Sequence, residues 1–293
     1  MVESTKTPHL SYHRLSARIR SLAPLGPVLL LLLFFYVYPL LRTLFLSFNG
    51  WDFSLANYRQ FFETPVYVRV LGFTILMSSV VALACIVIGY PVAYVVATVR
   101  PRYRYLLMWL VMVPWLTNEL VRNYVWLIIL SPNGLVNQVL ISIGVIEESL
   151  RLSGTMWAVL IGMIYVQLPL SILPLYAVMR GIDMDLLRVA SSLGAKPSAV
   201  VRTILIPLTV PGIVAAGLLT FLTSLGFYIT PAILGGRRDL FIANLIDIEI
   251  SRLVHWEFGS ALALLLVVSA FAVLGLASSF TSLEDMMGRG GKL

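Results

Sequence analysis

The chain has 293 residues, of which 59% are hydrophobic and only 12% are charged. Its mean hydropathy is +0.92. A soluble domain needs a polar surface, and a chain with so few charged residues cannot supply one. The composition therefore excludes a soluble globular protein and a disordered one, and predicts an all-α protein embedded in a lipid bilayer.

The charge and the cysteine count narrow the functional classes further. A net charge of +7 could indicate nucleic-acid binding in a soluble chain, but basic residues at the cytoplasmic ends of membrane spans explain it better. We therefore expect no nucleic-acid partner. The single cysteine, Cys85, excludes an intramolecular disulfide, and three histidines without metal-ligand spacing predict no metal site.

Six apolar segments are long enough to cross the hydrocarbon core, which takes about 20 helical residues. They run over residues 25–48, 68–99, 106–130, 156–179, 207–234 and 258–280. An even number of spans places both termini on one side of the membrane. If that side is cytoplasmic, its segments carry 13 basic and 5 acidic residues, against 8 and 9 in the rest of the chain. This asymmetry predicts cytoplasmic termini.

The six spans define a transmembrane domain over residues 25–282. A basic segment, 1–24, precedes it, and a short cytoplasmic tail, 283–293, follows it. Apolar residues recur at helical spacing among the arginines of the N-terminal segment, which favours a short amphipathic helix on the inner membrane surface. A frayed basic tail is the alternative.

The cytoplasmic segment between spans four and five, residues 181–206, has an apolar helical pattern instead of the composition of a polar linker. Asp183 can cap a first short helix, Gly194 can end it, and Pro197 suits the first turn of a second helix. An exposed apolar face of this kind predicts either a partner protein or packing against the chain's own spans.

This segment resembles the "EAA" loop of permease subunits of ATP-binding-cassette (ABC) transporters. The family pattern has Glu-Ala-Ala, three residues, Gly-Ala, and then an apolar residue and proline that lead into the next span. The corresponding residues are Arg188-Val189-Ala190, Gly194-Ala195 and Ile206-Pro207. Arg188 stands where the family has glutamate, and Asp185 lies one turn earlier on the same face.

Four further segments resemble the spermidine/putrescine branch of this family. They are VPWLTNELVRNYVW (residues 113–126), PLYAVMRGID (174–183), PLTVPGIVAAGLL (207–219) and LGFYITPAILGG (225–236). Together with the loop and the six-span layout, these regions cover nearly the whole chain in the same order. The resemblance implies the permease fold of a type I ABC importer in the bacterial inner (cytoplasmic) membrane.

The resemblance also implies partners. They are a cytoplasmic ABC ATPase dimer that binds the loop, a second homologous permease and an extracytoplasmic substrate-binding protein; a homodimer of this chain is the alternative to the second permease. The sequence has no G-x-x-x-x-G-K-[S/T] run, so we expect a non-catalytic subunit that binds no cofactor, with ATP and Mg²⁺ on the ATPase. The coupling role implied by the family falls on Asp185, Arg188, Ala190, Gly194, Ala195 and Pro197.

Polar residues inside spans are energetically costly and are therefore candidates for a substrate path or gate. The candidates from spans three to five are Trp115, Asn118, Glu119, Asn123, Tyr165, Gln167, Tyr228 and Thr230. An interhelical hydrogen bond is the alternative role for a polar residue in a span. Glu119 could also pair with Arg122 at i, i+3. Pro114 is expected to kink or break span three.

The resemblance favours a polyamine such as spermidine or putrescine as the solute. A multiple cation requires carboxylates or aromatic faces, and Glu119 is the acid that the span boundaries place within a span. Ferric iron, sulfate and sugar-derived compounds are the alternatives within the superfamily. A self-contained secondary transporter is the alternative from another class, and it predicts an inverted repeat and buried coupling acids that the sequence does not show.

Overall fold

The computed structural model describes residues 26–183, 185–236 and 239–280. The predicted N-terminal amphipathic segment, 1–24, and the predicted tail, 283–293, lie outside the described residues. The described residues form helices and no strand. In chain order the α-helices are α1 (Gly26–Leu32), α2 (Tyr38–Ser47), α3 (Ala56–Glu63), α4 (Pro65–Thr98), α5 (Pro101–Leu116), α6 (Glu119–Ile129), α7 (Leu135–Ser142), α8 (Met156–Arg180), α9 (Asp185–Ser192), α10 (Pro197–Val200), α11 (Ile206–Leu225), α12 (Ile229–Leu234), α13 (Ile242–Asp247) and α14 (Trp256–Phe280).

Within these described ranges, five continuous helical stretches are long and apolar enough to cross a membrane. They are Leu30–Ser47, Pro65–Thr98, Met156–Arg180, Pro197–Leu225 and Trp256–Leu276. They overlap the first, second, fourth, fifth and sixth predicted spans. π-helical turns join α1 to α2 and α10 to α11, so each of those stretches stays continuous.

The third predicted span is divided into two shorter helices. The expected interruption is present, but it lies after Pro114, at Thr117 and Asn118. The two halves have 16 and 11 residues, and neither alone has the length of a span. The prediction that span five runs to residue 234 is wrong, because α11 ends at Leu225 and α12 is a separate helix.

The centre of the bundle consists of α4, α8 and α11, which pack on one another. In α8, 56% of the residues in the most apolar 18-residue segment are buried, against 6% of those in the first span. Val81, Cys85 and Met163 belong to a buried cluster towards one end of this core. Leu175 and Ala216 belong to a second cluster towards the other end. The helix α8 is therefore the most buried of these spans and packs against α4, α5, α6, α11 and α12.

The peripheral helices form two pairs. The first span packs through α2 against α14, the last span. The short helices α6 and α12, which follow the interruptions of spans three and five, pack against each other and against α8. The two interruptions therefore lie in the same region of the bundle.

Candidate functional site: the loop between α8 and α11 and the interrupted third span

The loop between α8 and α11 contains the predicted pair of short helices. Oδ1 of Asp183 accepts a hydrogen bond from the backbone N–H of Asp185 at 2.9 Å, at the start of α9. Pro197 is the first residue of α10. At this position a backbone N–H has no partner within the helix, so proline loses no hydrogen bond there. Val200 and Leu205 are buried and anchor the second half of the loop to the bundle.

Ala190, Gly194 and Ala195 act together to close α9. Gly194 has a φ of +84°, a left-handed conformation that glycine adopts without a steric cost. Its N–H donates to the carbonyl of Ser191 at 3.0 Å, and the N–H of Ala195 donates to the carbonyl of Ala190 at 3.2 Å. These two bonds form a Schellman motif. The Ala and Gly-Ala positions of the loop therefore determine the turn between its two short helices.

One face of α9 presents uncovered apolar and charged side chains. Leu186, Val189 and Leu193 are 51%, 58% and 82% exposed. Nη1 of Arg188 donates to Oδ1 of Asp185 at 2.7 Å, and both side chains are exposed. The arginine that replaces the family's glutamate is therefore paired within its own helix. An exposed apolar face beside a paired charge fits a surface for docking another subunit.

The interruption of span three is stabilised first by Asn118. Thr117 and Asn118 both leave the helical conformation, with ψ values of 148° and 132°. Oδ1 of Asn118 accepts hydrogen bonds from the backbone N–H groups of Leu120 at 2.9 Å and Val121 at 3.3 Å. This N-cap satisfies donors at the start of α6. Asn118, a predicted path residue, therefore has a structural role at the interruption.

Arg122 stabilises the preceding helix end. Arg122 is only 9% exposed. Its Nη1 donates hydrogen bonds to the carbonyls of Pro114 at 2.7 Å and Thr117 at 3.4 Å. A positive charge at the C-terminal end of α5 is also favourable for the helix dipole. The alternative pairing of Glu119 with Arg122 is absent from the ion pairs of the described residues.

A cavity of about 340 Å³ lies at this interruption, between α5, α6, α8 and α11. Trp115, Glu119 and Gln167 are the predicted path residues that line it, together with Arg122. Within the part of the chain that the structure describes, the Glu119 carboxylate has neither an ion pair nor a side-chain hydrogen bond. A carboxylate and an indole face are groups that attract organic cations. We call this space the span-three cavity.

Gln167 forms one wall of the span-three cavity and is already hydrogen-bonded. Gln167 is only 1% exposed. Nε2 donates to the carbonyl of Thr220 at 3.3 Å, to Oγ1 of Thr223, and to Oγ of Ser224 at 3.1 Å. These bonds link α8 to α11. Gln167 therefore has the interhelical role that was the alternative to substrate contact.

Asn123 and Thr230 lie outside the lining of the cavity, where α6, α8 and α12 meet. They are 1% and 0% exposed, and Oδ1 of Asn123 and Oγ1 of Thr230 have no hydrogen-bond partner among the described residues. Gly162 permits the close approach here, because a Cβ would lie 2.6 Å from Cδ1 of Leu234 and 3.0 Å from Cγ2 of Thr230. Asn123 and Thr230 therefore pack the junction between α6, α8 and α12.

Tyr165 and Tyr228 also lie away from the span-three cavity. The ring of Tyr165 packs edge to face on Trp126, with centroids 5.3 Å apart. The hydroxyl of Tyr228 donates to Oδ2 of Asp247 at 3.0 Å, and this hydrogen bond raises the pKa of the hydroxyl, with burial as a smaller cause. The Tyr228 carbonyl accepts from Nδ2 of Asn244 at 3.0 Å. The structure thus brings three of the eight predicted path residues to one cavity.

Leu170 and Phe227 line the cavity but were not predicted from the sequence. Path residues were selected by polarity, so apolar wall residues gave no signal. The role of Arg122 at the end of α5 was also missed. Its signal is the position of an arginine eight residues after Pro114, within reach of the carbonyls that a helix end leaves unpaired.

Comparison with known proteins identifies the family. The family described as "binding-protein-dependent transport system inner membrane component" matches residues 86–280. The chain belongs to this family. The spermidine/putrescine transport system permease protein PotB of Haemophilus influenzae is 36% identical over 245 residues, covering 81% of this chain and 85% of that protein. PotB of Escherichia coli K12 is 37% identical over 230 residues, covering 78% and 82%.

The fold is similar to that of a chain in a solved bacterial ABC transporter. A chain of the bacterial alginate ABC transporter, in complex with an alginate pentasaccharide-bound periplasmic protein, aligns with a TM-score of 0.74. The alignment covers 93% of this chain and 97% of that chain at 18% identity, so it shows the fold alone. The family match and the identity to the two permeases make this chain the inner-membrane permease component of a binding-protein-dependent transport system.

Proposed function

We propose that this permease imports a polyamine, such as spermidine or putrescine, that an extracytoplasmic binding protein delivers. Movement occurs by alternating access and is driven by ATP hydrolysis on a separate subunit. The observation that carries the choice of solute is the carboxylate of Glu119, which has no ion pair among the described residues and lies in the same cavity as Trp115. The 36% and 37% identity to two PotB permeases supports the same choice.

The proposed topology has six crossings and cytoplasmic termini, within a transmembrane domain over residues 25–282. In this arrangement α5 and α6 together make the third crossing, in addition to the five continuous stretches. An interrupted crossing is compatible with a bilayer when the freed backbone groups find partners, as they do here through Asn118 and Arg122. The excess of basic residues on the loops assigned to the cytoplasm supports the orientation.

The proposed coupling surface is the loop over residues 181–206. Its exposed apolar face on α9 would dock on a cytoplasmic ABC ATPase, which holds ATP and Mg²⁺. The rigid turn at Gly194 would transmit ATPase closure to α11, because Val200 and Leu205 anchor that half of the loop in the bundle. The proposed surface contains Asp185, Arg188, Ala190, Gly194, Ala195 and Pro197. A second, homologous permease completes the proposed assembly.

The proposed binding step places one ammonium group of the polyamine at Glu119. The carboxylate attracts the charge, and the indole of Trp115 offers its electron-rich face. Glu119 also lies in the first turn of α6, where the helix dipole stabilises a negative charge when the cation is absent. Arg122 forms no ion pair with this acid among the described residues, and its Nη1 donates instead to the carbonyls of Pro114 and Thr117.

We expect Glu119→Gln to weaken uptake of polyamine by raising the KM about tenfold, since a charge-assisted contact is worth more than 1 kcal/mol. The measurement is radiolabelled spermidine uptake in proteoliposomes that contain the complete importer. Glu148→Gln is the matched control, because Glu148 is an exposed acid outside the cavity. Equal KM values for wild type and Glu119→Gln would remove Glu119 from the proposed binding step.

The assembly itself is tested by affinity purification of this chain from gently solubilised native membranes, followed by mass spectrometry. The proposal expects an ABC ATPase and a second permease to co-purify, and the solute bound to the associated binding protein to be a polyamine. A chain that repeatedly emerges alone would favour a self-contained transporter. A binding protein loaded with a metal, an oxyanion or a sugar would retain the importer and reject the polyamine.

A further inference from the structure

A second cavity, of about 570 Å³, lies between α2 and α14 at the ends of the first and last spans. This volume is typical of a small-molecule site. Its lining residues come from positions 39–46 and 250–263, whereas those of the span-three cavity come from positions 115–227, so the two cavities share no lining residue. Arg42 and Glu257 bring opposite charges to its wall, and Trp256 lies beside them. We call this space the α2–α14 groove.

The two charges of the α2–α14 groove have no partner among the residues that the structure describes. Both side chains are exposed, and neither Arg42 nor Glu257 forms an ion pair or a side-chain hydrogen bond within the described ranges. Arg42 lies inside the apolar stretch Leu30–Ser47, where an unpaired charge is unfavourable. A ligand with both a negative and a positive group would satisfy both side chains at once.

The polarity of the groove changes with depth in the membrane. Arg42 lies five residues from the end of α2 at Ser47, or about 7 Å along the helix. Glu257 is the second residue of α14. Pro39 and Ala263 lie about 5 to 9 Å farther into the two spans, and both are apolar. The groove is therefore charged near the interface and apolar below it, as a phospholipid is.

We propose that the α2–α14 groove binds a zwitterionic phospholipid of the phosphoethanolamine type. Arg42 would bind the phosphate through its planar guanidinium, and Glu257 would bind the primary ammonium. Trp256, at the first position of α14, is placed at the level of the headgroups, where tryptophan is enriched. The apolar depth of the groove receives the upper part of an acyl chain.

Lipid is a better occupant than a helix of a second permease. A protein surface over the groove would remove both separate charges from water, and the cost of desolvating a charge often exceeds the attraction gained. A headgroup leaves both charges at the hydrated interface. An anionic headgroup without an amine would place its charge beside Glu257, and a choline headgroup offers no N–H donor to that carboxylate.

The test is native mass spectrometry of the complete importer, delipidated in detergent and supplied with phosphatidylethanolamine, phosphatidylglycerol or phosphatidylcholine of identical acyl chains. We expect wild type to retain phosphatidylethanolamine most strongly. Arg42→Gln should lower retention of all three lipids, by about tenfold for phosphatidylethanolamine. Glu257→Gln should selectively remove the preference for phosphatidylethanolamine over phosphatidylglycerol. The same spectra report whether each variant complex is assembled.

Matched controls are Arg59→Gln and Glu63→Gln, which remove one charge each from an exposed ion pair on α3. These variants should retain lipid as wild type does. Equal lipid retention in wild type, Arg42→Gln and Glu257→Gln would overturn the site. A photo-crosslinker at Thr43, which also lines the groove, should capture lipid; capture of the second permease in its place would overturn the lipid and assign the groove to a subunit interface.

Discussion

Replacement of Gly194 by glutamate is expected to abolish uptake while the protein reaches the membrane at its normal level. Gly194 has a φ of +84°, and a residue with a Cβ in this conformation costs about 1–2 kcal/mol. That cost alone would not unfold the spans. Apart from Gly194 and its two chain neighbours, no atom of the described chain lies within 4 Å of an added Cβ, so the new side chain has room in the isolated subunit. The loss of uptake would come from a charge placed in the surface that docks on the ATPase.

The chain offers a matched control for this variant. Gly144 has a φ of +72°, and an added Cβ there also meets nothing within 4 Å. Gly144→Glu therefore introduces the same backbone strain and the same charge in a segment that the proposed topology places outside. Uptake and ATPase activity, both measured in proteoliposomes at equal protein content, should be near normal for Gly144→Glu. Equal losses in the two variants would assign the effect to strain and reject the coupling role of Gly194.

The loop between α8 and α11 shows how much of this structure local sequence signals determine. Asp183, Gly194 and Pro197 each act through backbone geometry within a few residues, and the structure has the expected cap, turn and helix start. The same holds for the apolar stretches of the spans, whose length and hydropathy alone determine a membrane-crossing helix. Such features need no knowledge of the neighbouring helices.

The span-three cavity shows where local signals are insufficient. Pro114 predicts an interruption, but the helix continues for two more residues because Asn118 and Arg122 satisfy the backbone beyond it. The role of Gln167 depends on α11, more than 50 residues away in the chain. A polar residue in a span is equally compatible with a substrate contact and an interhelical bond, so polarity alone could not separate Glu119 from Gln167.

Arg122 is expected to control the rate of transport without contacting the solute. Its guanidinium donates to the carbonyls of Pro114 and Thr117, and a hydrogen bond from a charged donor contributes about 1.5–3 kcal/mol. The Pro114 carbonyl also accepts from Oγ1 of Thr117 at 2.8 Å, so loss of the arginine would leave the Thr117 carbonyl without its partner and loosen the turn between α5 and α6. We expect Arg122→Met to lower the maximal uptake rate at least tenfold. Arg122→Lys should recover part of this rate, because an ammonium can still donate to one carbonyl.

The split between KM and the maximal rate separates this positioning role from a binding role. A guanidinium repels a polyamine, so its removal should not raise the KM, whereas loss of the Glu119 carboxylate should do so. Arg151→Met, in an exposed segment that the proposed topology places outside, is the control for loss of an arginine. A raised KM with an unchanged maximal rate in Arg122→Met would assign Arg122 to an anionic solute. That result also contradicts a cationic solute at Glu119. The variants Glu119→Gln and Arg122→Met together therefore determine both the function of the interruption in span three and the sign of the charge on the transported solute.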